Sequence, residues 1–237
     1  MKGRVIVNIL TPSRLVSKEE GKQFLEKWVA LAPQYAPERY GGYEPVRSLF
    51  DPENIDAAVS DWDFSFLFTR RKPRMRGTIF MGDNRGTTHG WIKIAFEYKP
   101  DLFSLLKQFF MEICTGFEAE FACMQLMPGK EEDLRITTHR LRQGIPDLYW
   151  LTLFGKPYVK LFGRERILSS PNAIIEEPKP GMFSIQLSED ISAVATNSDE
   201  LFQIAQRIKQ HLNNNAFFDI ELGRDYAYNI PEFQIRL

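Results

Sequence analysis

Three stretches with the two-residue period of a β-strand lie close together in the middle of this 237-residue chain. In the first, Phe64, Phe66 and Phe68 alternate with Asp63, Ser65 and Thr69, and the other two cover residues 78–81 and 91–98. The connections between them are short and polar, which favours antiparallel pairing, because neighbouring parallel strands need a long crossover. This order predicts an antiparallel sheet at the centre of the fold.

Two longer helices are predicted before and after these strands. Ser17 and Glu20 form a capping-box pattern, and apolar residues then recur at helical spacing until Pro33 ends the helix. The second helix begins at Pro100, and its apolar positions cover more than half of the helix circumference as far as Ile113. We therefore expect the second helix to be buried on several sides.

Additional elements complete the first half of the chain. Residues 5–10 predict a first strand, and the alternation over 117–123 predicts another after the second helix. Asp51 before Pro52 predicts the start of a short helix that runs through Val59. The strands and the two longer helices follow the order β-α-β-β-β-α-β, which predicts an α+β fold with a mainly antiparallel sheet and helices packed on one face.

The second half of the chain gives weaker patterns. They predict a strand at 149–154, one or two helical turns at 156–162, and a pair of strands at 174–175 and 182–187. A final helix follows, which is capped by Asn197 or Ser198 and has its last core residue at Leu212. The charged stretch 130–143 fits a loop or a surface helix. Because no linker or repeat separates the halves, we interpret residues 1–237 as a single domain whose two lobes would be 1–128 and 145–237.

The composition limits the classes of function. A net charge of −1 gives the chain no overall attraction to nucleic acid or to an anionic membrane, and no apolar stretch approaches the length of a membrane span. Cys114 and Cys123 lie in predicted elements with no metal-ligand spacing, so we interpret both as core residues. Two unpaired cysteines fit the reducing cytoplasm, which is the expected location.

The sequence offers few catalytic candidates. His89, His139 and His211 have no partner at a recognisable spacing, and surface or capping roles are the favoured interpretation. We therefore expect no catalytic residues, no metal and no cofactor. The sharpest enzymatic alternative is a metal-dependent nuclease in which Asp83 and Glu97 hold Mg²⁺ and Lys99 activates water.

Five basic residues fall within seven positions of the predicted first hairpin. They are Arg70, Arg71, Lys72, Arg74 and Arg76. Such a cluster can contact phosphates, or it can be a solvated turn that protects a sheet edge by its charge. No interleaved aromatic or glycine-rich motif accompanies it, so the solvated turn is favoured and nucleic acid is not the expected partner.

Two segments combine aromatic residues, glycines and charges in a way that packing alone does not require. The first is YGGYEPVR at 40–47 with Asp61-Trp62, and the second is YWLTLFGKPYV at 149–159 with LFGRER at 161–166. With the order of elements, these segments resemble the immunity proteins of bacterial polymorphic toxin systems, most nearly the immunity protein 52 family. The resemblance would span most of the chain, although its motifs are loose.

The resemblance implies a non-enzymatic protein that binds and neutralises a cognate toxin in the cytoplasm, and the family's toxins include nucleases. Since the net charge of −1 argues against mimicry of a nucleic acid, contact through shape and aromatic anchors is expected. The chemistry of the residues selects the candidate partner contacts Tyr40, Tyr43, Glu44, Arg47, Trp62, Lys156 and Tyr158. Packing of the aromatic members into the core, and a scaffold protein as a further function, remain open alternatives.

Overall fold

The structure, a computed structural model, describes residues 3–13, 15–81, 89–128, 141, 143–223 and 225–233. Within these residues, ten strands form one sheet in the order β3-β2-β4-β5-β6-β1-β7-β8-β10-β9, and every pairing between neighbours is antiparallel. The α+β class with an antiparallel sheet is therefore confirmed.

The strands carry the following bounds: β1 Arg4–Thr11, β2 Arg39–Gly41, β3 Ser48–Leu49, β4 Ser65–Arg70, β5 Met75–Phe80, β6 Gly90–Glu97, β7 Phe121–Met127, β8 Leu151–Phe154, β9 Ile174–Lys179 and β10 Met182–Gln186. The α-helices of the described residues are α1 Lys18–Leu31, α2 Ile55–Ser60, α3 Pro100–Gly116, α4 Lys156–Phe162, α5 Arg164–Leu168, α6 Ala193–Thr196 and α7 Ser198–Leu212. Short 3₁₀ turns follow α1 and α7 at Pro33–Tyr35 and Asn214–Ala216.

One face of the sheet packs against α1 and α3. Val5, Val7 and Ile9 of β1 point to this face and join a cluster with apolar residues of both helices. Phe109 of α3 and Trp28 of α1 meet in its centre, with their ring centroids 5.1 Å apart. The two helices predicted in the first half therefore share one side of the sheet.

The second half of the chain places its helices on the opposite face. Successive side chains of a strand alternate between faces, and Phe121 and Cys123 of β7 belong to a second cluster, whereas Ala122 belongs to the first. Helices α4, α5 and α7 contribute to this second cluster. The prediction that helices pack on one face is thus correct for α1 and α3 and wrong for α4, α5 and α7.

The sheet is continuous across the boundary between the two predicted lobes. Strand β7 of segment 1–128 pairs with β8 of segment 145–237, with Phe121 opposite Phe154. Both hydrophobic clusters also contain residues of each segment: Trp150 and Leu151 belong to the first cluster, and Leu10 and Phe121 belong to the second.

Helix boundaries follow the sequence signals closely in most cases. The Ser17 side chain accepts a hydrogen bond from the Glu20 amide, and the Glu20 carboxylate accepts one from the Ser17 amide, so the predicted capping box is confirmed. The Asp51 carboxylate instead accepts a bond from the Glu53 amide within a turn, and α2 begins later, at Ile55.

The strand predicted over 117–123 begins at Phe121. The Phe117 amide still bonds to the Ile113 carbonyl at the end of α3, and Glu118 adopts a left-handed conformation with φ of 51°. The apolar residues at 117 and 119 are buried by this helix ending, and they do not form strand pairs. Their alternation therefore reflects a turn that packs inward.

A single tyrosine hydroxyl organises the turn 219–223 near the end of the described chain. The Tyr228 hydroxyl accepts a bond from the Asp219 amide at 3.0 Å, and it lies 2.9 Å from the Asp219 carbonyl and 3.0 Å from the Gly223 carbonyl. We expect Tyr228→Phe to cost about 1 kcal/mol of unfolding free energy. Hydrogen exchange of the Asp219 amide checks the result: exchange should accelerate there and stay unchanged in β1, and an unaltered Asp219 rate would contradict the prediction.

Candidate edge surface for partner binding

The β2–β3 hairpin lies at one edge of the ten-stranded sheet. Strand β2 pairs on its inner side with β4, where Tyr40 lies opposite Phe68, and on its outer side with the two-residue strand β3. The alternation of the strand sends the Tyr40 side chain into the core, while residues 42–47 form a loop that extends beyond the paired residues.

Three contacts outside the strand pairing hold this loop. The Ser65 hydroxyl donates to the Gly42 carbonyl at 2.7 Å, the Arg39 guanidinium donates to the Arg47 carbonyl at 2.8 Å, and Arg76 forms an ion pair with Glu44. The Arg76–Glu44 pair is largely exposed and contributes little to stability, so the two hydrogen bonds to the loop backbone do most to hold the loop. The loop is therefore positioned before any partner binds.

Large apolar side chains are exposed on this anchored hairpin. Tyr43 is 81% exposed and Leu49 is 71% exposed, and the charged side chains of Glu44 and Arg47 are exposed beside them. We refer to Tyr43, Glu44, Arg47 and Leu49 as the edge surface. Aromatic residues and arginines are enriched in protein–protein interfaces, so the anchored hairpin is a candidate for binding a protein partner.

A groove of about 520 Å³ adjoins the edge surface. Its apolar lining comes from α1, the following turn and the chain after β3, and its charged rim comes from β2 and the β4–β5 turn. The lining residues are Val29, Pro33, Ala36, Pro37, Glu38, Arg39, Leu49, Phe50, Pro52, Arg70 and Arg71. We call this feature the edge groove, and Leu49 belongs both to it and to the edge surface.

Two aromatic residues selected from the sequence as partner contacts are core residues. Tyr40 is 6% exposed and stacks on Phe66 at 5.4 Å between ring centroids. Trp62 is 3% exposed, and its indole N–H donates to the Leu15 carbonyl at 2.8 Å. Neither side chain can reach a partner in this conformation, so both are withdrawn from the candidate contacts.

The segment around Lys156 lies away from the hairpin. Tyr158 is completely buried among Phe121, Phe154 and Phe162, so it is also withdrawn. Lys156 is exposed, but it follows β8, six strands from β2, which corresponds to roughly 29 Å across the sheet. The predicted contacts therefore do not form one surface, and Tyr43, Glu44 and Arg47 remain together at the edge.

The basic cluster divides into structural and exposed members. The Arg70 guanidinium donates to the Ala36 carbonyl at 3.0 Å and to the Lys72 carbonyl at 3.0 Å, and Arg76 pairs with Glu44. Arg71, Lys72 and Arg74 are exposed. Two of the five basic residues thus order the neighbouring loops, and the other three give this end of the sheet a positive charge.

The sequence did not predict a buried pair that is formed by a histidine, His89, and a glutamate, Glu120. His89 is 2% exposed, and its Nε2 lies 2.8 Å from a carboxylate oxygen of Glu120, so the surface or capping role expected for His89 is wrong. The Phe233 ring packs against the imidazole at 4.8 Å. Since 31 residues separate the two partners, no local pattern could reveal the pair. His211 is exposed on α7 as expected, and His139 lies outside the described residues.

Tyr158 adds a third titratable group near this pair. Burial, followed by the charge of Glu120, raises the pKa of the Tyr158 phenol well above its usual value. Its hydroxyl finds no hydrogen-bond partner within the part of the chain that the structure describes. The group is neutral and enclosed by aromatic rings, which suits packing better than chemistry on a substrate.

The structure describes two of the three residues of the nuclease alternative, Glu97 and Lys99. Asp83 lies outside the described residues. One Glu97 oxygen accepts from the Lys99 ammonium at 2.7 Å, and the other accepts from the Arg74 amide at 2.8 Å. Over the described ranges, no group of three or more His, Cys, Asp or Glu side chains is arranged to hold a metal ion. The Glu97 carboxylate thus bonds to groups of the protein itself at the end of β6.

The pair of Glu97 and Lys99 makes stability depend on pH. The hydrogen bond from Lys99, followed by that from the Arg74 amide, lowers the pKa of Glu97 below its ordinary value of 4.5. Its contribution is therefore present above pH of about 4.5 and is lost as the pH falls through the lower folded-state pKa. We expect Glu97→Gln to be less stable than wild type at pH 7 and equally stable in acid. Urea unfolding across this range is the check, and a difference that persists in acid would contradict it.

The two cysteines are fully buried, which confirms their interpretation as core residues. Burial raises the pKa of both thiols well above the ordinary value of 9.0. Neither thiol is ionised near neutral pH, so neither is an activated nucleophile.

Comparison with protein-family models and with curated proteins finds no match for this chain. The resemblance to the immunity proteins therefore rests on the segments quoted above. Across the described ranges, none of the helices has the length and apolar character that crossing a bilayer requires.

Proposed function

We propose that this chain is a non-enzymatic immunity protein that binds and neutralises a cognate bacterial toxin through the edge surface. The observation that carries the proposal is the exposure of Tyr43 and Leu49, at 81% and 71%, on the β2–β3 hairpin, whose loop is held by three contacts outside the strand pairing. A loop that is ordered before binding loses little conformational entropy in a complex.

The chemistry of the edge surface supports a protein partner. Tyr43 offers an aromatic anchor, Leu49 extends the apolar area, and Arg47 adds a charged donor at the rim. The basic residues of the neighbouring turn do not resemble the acidic surface of a nucleic-acid mimic. Recognition therefore depends on shape and local charge, also for a nuclease toxin. The protein acts in the cytoplasm, where such a toxin would attack its target.

Co-expression tests the function directly. The product of the adjacent open reading frame is induced in cells with or without this chain, and survival is measured together with co-purification of the two proteins. Protection and a stable complex are expected. Cell death despite folded protein would overturn the proposal for that toxin, and stable assembly without protection would favour a scaffold protein.

The enzymatic alternative is excluded or supported by a second measurement on the same material. The purified protein is incubated with DNA and RNA in the presence of Mg²⁺, and no cleavage is expected. Cleavage that disappears in both Glu97→Ala and Lys99→Ala proteins would support the nuclease and contradict the proposed function.

A further inference from the structure

The edge groove combines an apolar floor with a positively charged rim. Val29, Pro33, Phe50 and Pro52 give apolar walls, and Leu49 stands at the margin with 71% of its surface exposed. The dimensions fit one or two large side chains of a ligand rather than a globular surface. An apolar groove of this kind holds an anchor residue of an extended segment.

The charges around the groove are unequal. Three arginines, Arg39, Arg70 and Arg71, surround a single acidic lining residue, Glu38. One Glu38 oxygen lies 3.8 Å from the Arg70 guanidinium, and the other accepts from the Arg71 amide at 2.9 Å. The Glu38 carboxylate thus already has partners within the protein, and the rim of the groove has a net positive charge.

The backbone at this edge is also suited to an extended ligand. Strand β3 pairs with β2 through Ser48 and Leu49, and it is the terminal strand in the sheet order. The Phe50 amide bonds to the Glu38 carbonyl at 3.0 Å, which continues the pairing into the groove. A ligand segment that lies along this edge points every second side chain toward the groove, so an apolar side chain and the side chains two residues before and after it share the face that the arginines line.

We infer that the edge groove binds an extended acidic segment of a protein partner, with a large apolar side chain in the groove and flanking carboxylates on Arg39 and Arg71. The inference rests on the proposed function for the statement that the toxin supplies this segment. Apolar burial provides the anchor, and charge-assisted hydrogen bonds to guanidinium groups select acidic neighbours over basic ones.

The groove is tested without the toxin by nuclear magnetic resonance of the full ¹⁵N-labelled chain. The probe is a short synthetic peptide with a central leucine-phenylalanine pair flanked by two glutamates on each side. Two matched peptides replace the glutamates with lysines or the apolar pair with alanines. We expect the acidic apolar peptide to shift amide signals of Val29, Glu38, Leu49 and Arg71, and the two matched peptides to leave them unchanged.

Charge reversal in the protein is the second test of the groove. In Arg71→Glu, the acidic apolar peptide should bind at least about tenfold more weakly, because an attractive contact becomes repulsive. Arg207→Glu, an exposed position on α7, is the control with the same chemical change at a single site, and it should leave binding unchanged. Circular dichroism and denaturant unfolding establish that each variant is folded.

Several outcomes would overturn the inference. They are equal shifts with the lysine peptide, shifts confined to residues outside the groove, no shift at millimolar peptide, and stronger binding of an oligonucleotide than of the peptide. Arg71→Glu separates this inference from the proposed function, because the Arg71 side chain takes no part in the three contacts that hold the edge-surface loop. Loss of peptide binding with intact protection of cells would support the groove as a binding site and overturn the assignment of its segment to the toxin.

Discussion

Replacing Trp28 with alanine is expected to lower the free energy of unfolding by about 3–5 kcal/mol, the range for buried tryptophan and phenylalanine truncations. The Trp28 side chain is completely buried, and its ring lies 5.4 Å from Phe24, 4.8 Å from Phe68 and 5.1 Å from Phe109. Alanine would remove these contacts and leave a cavity between α1, α3 and the sheet. Urea unfolding followed by far-ultraviolet circular dichroism measures the change.

Two further variants control this prediction. The Trp28 indole N–H finds no hydrogen-bond acceptor among the described residues, so Trp28→Phe removes no bond and should cost less than half as much as alanine. Phe202 is 56% exposed on α7, and Phe202→Ala should change stability by no more than about 0.5 kcal/mol. Equal losses for Trp28→Ala and Phe202→Ala would contradict the placement of Trp28 at the centre of the core.

Replacing Gly155 with alanine is expected to cost about 3 kcal/mol, at the upper end of overpacking effects. A Cβ atom at Gly155 would lie 2.4 Å from the Ala119 carbonyl oxygen and 2.8 Å from the Glu120 Cα. Both are backbone atoms that cannot rotate away, and the Gly155 amide also bonds to the Glu120 carbonyl at 2.9 Å. The alanine would therefore push α4 away from the turn before β7.

Gly42→Ala is the matched control for this glycine substitution. A Cβ atom at Gly42 would lie 3.7 Å from the Ser65 carbonyl oxygen, an ordinary van der Waals contact. We expect a change within about 0.5 kcal/mol in the same urea measurement. A Gly155→Ala protein as stable as Gly42→Ala would show that the helix and the turn are not packed as closely as the structure indicates.

The sequence could predict those elements whose signals are local. The capping box of Ser17 and Glu20 and the alternation of Phe66 and Phe68 depend on neighbours a few residues apart, and both correspond to observed elements. The alternation over 117–123 was misleading, because a turn at Glu118 also buries alternate side chains. The helices α4, α5 and α7 were expected on the same face of the sheet as α1 and α3. This was wrong, because the apolar period of a helix does not indicate which face of the sheet the helix packs against.

The candidate site could be predicted only in part, since neighbouring residues of one segment separate in space. Tyr40 and Tyr43 belong to the same motif, yet strand pairing carries Tyr40 inward and the following loop carries Tyr43 outward. Leu49 and the groove escaped prediction, because the groove joins α1, β2 and the β4–β5 turn from distant parts of the chain. The His89 and Glu120 pair was missed for the same reason.

The affinity of the purified complex with the adjacent gene's product tests the central claim most directly. Isothermal titration calorimetry is performed on wild type, on Tyr43→Ala/Leu49→Ala and on Phe202→Ala, which also truncates an exposed apolar residue. We predict that the edge double variant binds at least about 30-fold more weakly, the effect of losing one strong anchor, while Phe202→Ala binds like wild type. A folded edge double variant with the dissociation constant of the wild type would contradict the account.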